Sequence, residues 1–355
     1  MAQTTLEQDY IPQLPPLLTP EQTEQWQQWI GEAQHIVICT HKSPDGDALC
    51  SSLALANFLQ TEGKMATIVI PDAFPDFLQW LPGANAMVRH DKRPAEAERR
   101  VSEADLIFCL DFNAISRVAK LQTVLEETPA RKILIDHHLN PDIDASLIVS
   151  KPKMSSTTEL IFRLVTQLNG LGRVGMQFFT CCYCGMMTDT GNFSFNCSAP
   201  DFFHIIAYLV SKGVDKEKIN QRVYNSFSSD CLRFRAYVIS EKMRVIEKHH
   251  AAYFAISHED QQRFHFVKGD AEGLVNEPLR IKDIYLSISL RCDSVQPDLV
   301  WVSLRSVGNY HCNRLAEKFF NGGGHANAAG GRLYCSLQEA ETIVQQAIEV
   351  WLTMQ

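Results

Sequence analysis

Carboxylate and imidazole side chains that could act together occur in four short segments within the first 189 residues. The segments are His41-Lys42-Ser43-Pro44-Asp45-Gly46-Asp47, Asp111, Asp136-His137-His138 and Asp189. Oxygen-rich sets with some histidine suit divalent ions, and they favour Mn²⁺ among Mn²⁺, Mg²⁺, Fe²⁺ and Zn²⁺. Two ions that share a carboxylate would neutralise the acids and activate a water molecule. These residues therefore predict a centre for two divalent ions, with Mn²⁺ favoured and Mg²⁺ as the other option.

Each of the four segments also has an ordinary structural explanation. The Pro44-Asp45-Gly46-Asp47 stretch is typical of a surface turn, and Pro44 and Gly46 both favour turning of the backbone. A single Asp after a strand often caps a helix, a pair of histidines is unremarkable, and Asp189 could belong to a simple turn. It is the succession of the four segments along the chain that favours the metal centre.

The elements that must position these acids are short apolar runs. His35–Thr40, Leu106–Leu110 and Ile133–Ile135 each precede one of the segments, and Ala66–Ile70 is a further strand candidate. Strand, loop and helix in repeated succession predict a parallel sheet covered by helices. Such sheets place function at the carboxyl ends of their strands. The acids are therefore expected to meet at one edge of a single sheet.

The second half of the chain predicts a separate, smaller α/β domain. The pattern is helical from about residue 155, ending in a long amphipathic stretch from Cys231 to Ile246, and strands follow from Ala251 onward. We predict two α/β domains with a cleft between them. Their bounds are an N-terminal arm over 1–18, a catalytic domain over 19–212, a helical linker over 213–247 and a substrate-binding domain over 248–355.

Composition restricts the classes of partner. The 355 residues include 33 Lys and Arg against 41 Asp and Glu, for a formal net charge of -8. This balance argues against a protein that coats long nucleic acid, which needs many cations to neutralise phosphates. The sequence contains no apolar run long enough to span a membrane and no secretory signal, so we expect neither a membrane partner nor export.

The chain has 11 cysteines, and most lie in apolar runs. We expect buried free thiols in a reducing cytoplasm. The cluster Cys181-Cys182-Tyr183-Cys184 has no second Cys or His pair at zinc-like spacing. A structural role is therefore favoured for it over a zinc site.

The pattern HxxxDxD, a strand-end Asp, Asp-His-His and a later Asp resembles the DHH phosphoesterase superfamily. Downstream, Val302–Ser306 (VSLRS) and Gly322–Gly331 (GGGHANAAGG) resemble the DHHA1 domain found with it. Members of this superfamily often have glycine where this chain has Cys50, in the helix after the first motif. Because cysteine is small, we expect its presence instead of glycine to have little effect, although the close packing of that turn depends on the residue at position 50.

The resemblance implies a role for each site residue. His41, Asp45 and Asp111 would hold one ion, and Asp47, Asp111, His137 and Asp189 would hold the second. Asp136 would orient a histidine, and His138 would lie beside the scissile phosphate as a catalytic group. The substrate-binding residues implied in the second domain are Arg305, Ser306, Gly322, Gly323, Gly324 and His325. Arginine offers a bidentate fork for phosphate, and a glycine-rich turn can present N–H groups to it.

The combination resembles the bacterial superfamily members with oligoribonuclease and 3′-phosphoadenosine 5′-phosphate phosphatase activity. The resemblance implies hydrolysis of oligoribonucleotides of two to about five nucleotides, of 3′-phosphoadenosine 5′-phosphate, or of both, to mononucleotides. Alternatives are a cyclic or linear dinucleotide phosphodiesterase, a family II inorganic pyrophosphatase, a RecJ-like exonuclease and a catalytically silent nucleotide-binding regulator. Family II pyrophosphatases have a different second domain without the GGGH motif that this chain carries. A RecJ-like exonuclease is disfavoured because this chain is short and acidic. A silent regulator is disfavoured because all six ligand positions carry the expected residue types. The oligomeric state, with a homodimer as one option, stays open.

Overall fold

The computed structural model describes residues 11–267 and 269–354, and the chain divides into two compact units between Ser226 and Phe227. Residues 1–10 of the predicted N-terminal arm lie outside the described residues. The described end of the arm is bound to the first unit. Leu18 is buried, and the backbone N–H groups of Leu17 and Leu18 donate to the side-chain oxygen of Gln167.

The first unit contains a parallel sheet of six strands. The strands are β1 (Ile36–Thr40), β2 (Ala66–Ile70), β3 (Val88–Arg89), β4 (Leu106–Leu110), β5 (Arg131–Asp136) and β6 (Leu147–Ser150). Their order across the sheet is β3-β2-β1-β4-β5-β6, and every pairing is parallel. Strand order reverses between β1 and β4, which is where open α/β sheets form a crevice at their carboxyl edge.

Helices cover both faces of this sheet. They are α1 (Pro20–Glu32), α2 (Gly46–Thr61), α3 (Pro94–Ser102), α4 (Gln122–Glu127), α5 (Thr157–Gln167), α6 (Met176–Asp189), α7 (Pro200–Ser211) and α8 (Lys216–Tyr224). One apolar core forms where α1, α2, α5 and α6 pack on the sheet, and a smaller one lies under α3 and α4 on the other face. The central strands β1 and β4 are buried along their whole length, which explains their continuous apolar runs.

Polar residues begin the helices that matter for the site. The side chain of Thr19 caps α1 in a capping box with Gln22, that of Asp45 caps α2, and that of Ser156 caps α5. Each cap satisfies N–H groups that a helix leaves without partners in its first turn. The helix starts therefore follow from local sequence.

The second unit is built on a mixed sheet. Its strands are β7 (Arg244–Ile246), β8 (Ala251–Ile256), β9 (Leu286–Cys292), β10 (Leu299–Ser306), β11 (Gly323–His325) and β12 (Ala328–Tyr334), in the order β11-β12-β10-β9-β8-β7. Its helices are α9 (Ser229–Tyr237), α10 (His258–Arg263), α11 (Asn313–Phe319) and α12 (Leu337–Trp351). The last two helices pack on one sheet face to form an apolar core that includes Trp351.

The predicted helix from Cys231 to Ile246 is wrong at its C-terminal end. Helix α9 continues as a single π-helical turn, Val238–Lys242, and Arg244–Ile246 is instead strand β7. This strand pairs in antiparallel fashion with the start of β8. Val245 and Ile246 are β-branched and favour a sheet, and tertiary pairing overrides the helical pattern of the preceding residues.

The prediction of free and mostly buried thiols is confirmed. All 11 cysteines have free thiols, Cys335 is partly exposed and the others are buried. Burial raises the pKa of Cys109 to about 12, so this thiol is unreactive at neutral pH. Within the described part of the chain, no helix combines the length and apolar character needed to cross a bilayer.

Candidate metal centre

The first three acidic segments meet at the carboxyl edge of the first sheet. Strands β1 and β4 lie side by side in parallel, with Thr40 opposite Leu110. His41 and Asp111 are the next residues along the two strands, and Asp136 is the last residue of β5. The edge therefore carries an imidazole and two carboxylates from three neighbouring strands, at the point where strand order reverses.

His41, Asp45 and Asp111 form one group. The Nε2 atom of His41 lies 3.5 Å from Oδ2 of Asp111 and 3.9 Å from Oδ2 of Asp45. The Nδ1 atom of His41 is 2.8 Å from the carbonyl oxygen of Lys42, so Nδ1–H donates there and Nε2 presents its lone pair. The other oxygen of Asp45, Oδ1, accepts from the N–H groups that begin α2.

His137 organises the second group. Its Nε2 atom lies 3.4 Å from Oδ2 of Asp189, 3.6 Å from Oδ1 of Asp111 and 3.9 Å from Oδ2 of Asp47. Its Nδ1 atom faces the carbonyl oxygen of Met154 at 3.3 Å. As with His41, a carbonyl fixes the tautomer in which Nε2 is the ligand nitrogen.

Asp111 belongs to both groups and offers one oxygen to each. Oδ2 faces His41 and Oδ1 faces His137. The ligand atoms of His41, Asp45 and Asp111 lie within 4.8 Å of one another, as do those of Asp47, Asp111 and His137. Two ligands about 2.1 Å from one ion are separated by roughly 3 to 4 Å, so these spacings fit coordination. Asp111 also has a left-handed φ of 64°, an uncommon conformation that persists where surrounding structure enforces it.

The negative charges of the clustered carboxylates would be stabilised by bound cations. Burial and then the nearby carboxylates of Asp47 and Asp45 raise the pKa of Asp111 well above its usual value. Asp189 is the last residue of α6, where the helix dipole disfavours a negative charge. Burial works against the charged form of His137, but the carboxylates of Asp189 and Asp47 raise its pKa. Divalent ions would relieve the repulsion among these acids, so the donor set fits them.

The N-terminus of α5 supports the centre, a feature absent from the sequence predictions. The backbone N–H groups of Thr157 and Thr158 donate to the two oxygens of Asp47 at 2.7 and 2.8 Å. The hydroxyl of Thr157 donates to Oδ1 of Asp111 at 3.0 Å. The available signal was the run Ser155-Ser156-Thr157-Thr158 before an apolar helix, which indicates a helix start able to bind an anion.

Asp136 contacts His138. Its Oδ1 atom accepts from Nδ1 of His138 at 2.7 Å, so this carboxylate fixes the orientation of the ring. The other carboxylate oxygen, Oδ2, is buried and has no hydrogen-bond partner within the described structure. The histidine that Asp136 orients is thus His138, whereas His137 is oriented by the backbone.

A close contact between α2 and α6 sets the position of Asp189 relative to Asp47. A Cβ atom on Gly185 would lie 2.8 Å from Cβ of Cys50 and would overlap the hydroxyl of Thr158. Thr158 is the residue whose N–H holds Asp47. At this point of the contact the glycine lies on α6, opposite Cys50 of α2, so cysteine at position 50 is accommodated.

The variant Gly185→Ala is expected to lower kcat at least about tenfold and to weaken Mn²⁺ binding, because the added methyl group displaces Thr158. Helix propensity alone would favour alanine by about 1 kcal/mol. Gly31→Ala in α1 is the matched control, since nothing lies within 4 Å of a Cβ there. Steady-state kinetics and Mn²⁺ titration measure both effects. Wild-type kinetics in Gly185→Ala would refute this role for the helix contact.

The predicted substrate-binding residues lie in the second unit. Arg305 and His325 each pair with Ala328, from strands on either side of β12, so the two side chains share one sheet face. A Cβ on Gly322 would overlap the carbonyl of Gly330, which makes glycine necessary there. Gly324 has a φ of 144°, Gly323 is open, and both lie in β11. Ser306 differs from the others because it is buried and accepts from Asn327 at 3.0 Å.

Comparisons with known proteins agree with this geometry. The family model described as the DHH family N-terminal domain matches residues 35–186. The cyclic-di-AMP phosphodiesterase PdeA of Listeria monocytogenes is 24% identical over 92% of this chain, which spans about half (49%) of that protein's length. The bifunctional oligoribonuclease and PAP phosphatase NrnA of Thermus thermophilus is 28% identical over 90% of each chain.

Among solved structures, an exopolyphosphatase-related protein from Bacteroides fragilis is 41% identical, with a TM-score of 0.90. The alignment covers 96% of this chain and 99% of that one. The predicted fold class, a parallel-sheet unit followed by a smaller α/β unit, is confirmed. The family model, the long alignments and the metal-binding motifs agree with one another: the chain belongs to the DHH phosphoesterase family.

Proposed function

We propose that this enzyme is a two-metal phosphoesterase that hydrolyses short oligoribonucleotides and 3′-phosphoadenosine 5′-phosphate to mononucleotides. The observation that carries the proposal is the Asp111 carboxylate, which faces a separate histidine with each oxygen. The similarity to NrnA over nine-tenths of both chains supports the substrate class. We place the enzyme in the cytoplasm, because its thiols are free and all but that of Cys335 are buried.

We assign the ligands as two overlapping sets. His41, Asp45 and Asp111 would hold one ion, and Asp47, Asp111, His137 and Asp189 would hold the other, with Mn²⁺ preferred to Mg²⁺ for this mixture of oxygen and nitrogen donors. When bound, divalent ions lower the pKa of water and neutralise charge on phosphate oxygens. The chain's own contribution is to fix the ligand atoms through backbone contacts of His41, His137 and Asp47.

We assign His138 to the reacting phosphate. Its Nδ1 atom is engaged by Asp136, which fixes the orientation of the ring. The carboxylate–histidine pair could therefore neutralise a phosphate oxygen or donate a proton to the leaving oxygen. Arg305 and the Gly322–His325 segment, in which Gly323–His325 form strand β11 and not the glycine-rich turn expected from the sequence, are assigned to bind a terminal phosphate or nucleotide.

A cyclic or linear dinucleotide phosphodiesterase is the second candidate. The observation in its favour is the alignment of 92% of this chain with half of PdeA. The two candidates share the metal centre and differ only in substrate. Measured turnover of each substrate therefore distinguishes the two candidates, whereas the assignment of the metal ligands does not.

The test is a parallel assay of the purified chain with Mn²⁺. The substrates are a dinucleotide, 3′-phosphoadenosine 5′-phosphate, cyclic di-AMP, a long RNA, pyrophosphate and polyphosphate. We expect kcat/KM on the first two to exceed that on each of the others by at least about tenfold, or 1.4 kcal/mol of transition-state stabilisation. Preference for cyclic di-AMP would favour the second candidate. Preference for polyphosphate, pyrophosphate or long RNA would contradict the proposal.

A further inference from the structure

Arg117 lies beside the metal centre and is not among its assigned ligands. It belongs to the segment that follows β4 and Asp111, within a 3₁₀ helix over Ile115–Leu121. The residue is partly exposed. In the part of the chain that the structure describes, its guanidinium group forms no hydrogen bond and no salt bridge. The N–H donors of this group are therefore available to a ligand.

Backbone hydrogen bonds hold Arg117 against the loop that follows β1. The carbonyl oxygen of Arg117 accepts from the N–H of Lys42 at 2.8 Å, and Lys42 directly follows the ligand candidate His41. The N–H of Arg117 donates to the carbonyl oxygen of Ala114 at 3.0 Å, which closes the turn. Contacts that do not involve its side chain therefore place Arg117 next to the first group of ligands.

The same segment is also bound to the loop that follows β5. The N–H of Asp142 donates to the carbonyl oxygen of Asn113 at 2.6 Å, and the side-chain amide of Asn113 donates to the carbonyl oxygen of Leu139 at 2.7 Å. Strand β4 lies between β1 and β5 in the sheet. The segment that carries Arg117 is therefore fixed at the carboxyl edge of the sheet, between the loops that supply His41 and His138.

The positive charge of Arg117 acts on the first group of ligands. Burial lowers the pKa of His41, the carboxylate of Asp45 raises it, and the guanidinium group of Arg117 lowers it again. A cation at this position repels divalent ions bound by the same ligands. An anion that contacts both the ions and the guanidinium group would offset this repulsion. The anions on which a phosphoesterase acts are phosphate esters, so the position of Arg117 fits a contact with substrate.

We propose that Arg117 is a catalytic residue that binds a non-bridging oxygen of the reacting phosphate. This inference rests on the proposed function and adds a residue to its machinery. Arginine can donate two parallel N–H groups to a phosphate, and it keeps its charge at neutral pH. It therefore stabilises negative charge that develops on the phosphate oxygens during hydrolysis. Arg117 transfers no proton: water supplies both the oxygen that joins phosphorus and the proton that the leaving oxygen takes.

The test uses the full chain loaded with Mn²⁺ and bis(p-nitrophenyl) phosphate, a generic phosphodiester. Arg117→Gln is expected to lower kcat about 100-fold, as the loss of one donor to a developing oxyanion does. Arg117→Lys keeps the charge without the forked geometry and should recover part of this loss. Lys120→Gln, at an exposed cation of the same segment, is the charge-matched control and should stay within about twofold of wild type. Wild-type kcat in Arg117→Gln would overturn the proposal.

Mn²⁺ binding distinguishes a contact with phosphate from a structural role. Because Arg117 repels ions at the centre, the Kd for Mn²⁺ in Arg117→Gln should be equal to or lower than that of wild type. Loss of a structural support would instead raise this Kd, and that result would overturn the proposal. Equilibrium dialysis of the wild type and the variant measures it.

A binding measurement without turnover completes the test. The Kd of adenosine 5′-monophosphate for the Mn²⁺-loaded chain should rise about tenfold in Arg117→Gln, measured by isothermal titration calorimetry, because a hydrogen bond to a charged phosphate is lost. An unchanged Kd would contradict the contact. If wild type hydrolyses the generic phosphodiester but neither an oligoribonucleotide nor 3′-phosphoadenosine 5′-phosphate, the proposed function fails, whereas the results for Arg117 still decide its role.

Discussion

Asp111→Asn is expected to lower kcat/KM by at least about 10³-fold, equivalent to about 4 kcal/mol of transition-state stabilisation. The reason is geometric, since each oxygen of this carboxylate faces a different histidine. Asparagine keeps the shape and the acceptor oxygen but removes the charge and replaces one ligand oxygen with an amide nitrogen. Both candidate ion sites lose affinity together. Kinetics on a dinucleotide at saturating Mn²⁺ measures the loss.

When metal is absent, the same substitution should leave the stability of the fold unchanged or increase it, although it lowers activity. The pKa of Asp111 is raised by burial and by neighbouring carboxylates, so the folded protein binds this proton more tightly than the unfolded chain does. Its contribution to stability therefore decreases as pH rises above the ordinary value of about 4. In EDTA at neutral pH we expect the Tm of Asp111→Asn to equal or exceed that of wild type.

The two measurements together separate a ligand from a structural residue. Added Mn²⁺ should raise the Tm of wild type by mass action, and this increase should be absent in Asp111→Asn. Asp144→Asn, at an exposed acid of the first unit, serves as the control. A lower Tm without metal, combined with a normal increase on adding Mn²⁺, would mean that Asp111 stabilises the fold and holds no ion.

Arg163→Leu is expected to destabilise the first unit by about 3–5 kcal/mol. Arg163 and Glu159 are both nearly inaccessible to solvent, with side-chain exposures of 2% each, and Oε1 of Glu159 accepts from Nε and Nη2 of Arg163 at 2.8 and 2.7 Å. Removing the cation leaves a buried carboxylate without its counter-charge. Urea unfolding followed by circular dichroism measures the change.

This ion pair also connects to the metal centre. The second oxygen of Glu159 accepts from the N–H of Ser155 at 2.9 Å, and Ser155 lies between the Met154 carbonyl that orients His137 and the Thr157 that holds Asp47. We therefore expect weaker Mn²⁺ binding in Arg163→Leu. The double variant Glu159→Leu/Arg163→Leu removes both charges and should recover part of the lost stability. A double variant less stable than the single one would contradict the unpaired-charge explanation.

The sequence was sufficient to predict the ligand candidates and the sheet edge that gathers them. The first three segments each follow a short apolar run, and β1 and β4 end side by side as the parallel pattern requires, whereas Asp189 comes from the end of helix α6. Family membership also followed from the spacing of these motifs. Local chemistry and strand periodicity determine these features, so they can be read without knowledge of tertiary contacts.

Features that depend on distant pairing could not be predicted. The hydrogen bonds from Thr157 and Thr158 to Asp47 join residues 110 and 111 positions apart. The need for glycine at position 185 arises from Thr158 and Cys50 on two other helices. The placement of Arg305 and His325 on one sheet face depends on the register of β10, β11 and β12, which no single strand specifies. The same holds for β7, whose pairing with β8 ends a helical pattern.

The most direct test of the central claim is the number of Mn²⁺ ions bound by the purified chain, measured by equilibrium dialysis with electron paramagnetic resonance. The Asp111 carboxylate lies between two groups of ligands, so we predict two ions per chain with the spectrum of a magnetically coupled pair. One ion per chain, or two ions whose spectra are those of isolated Mn²⁺, would contradict the bridged centre.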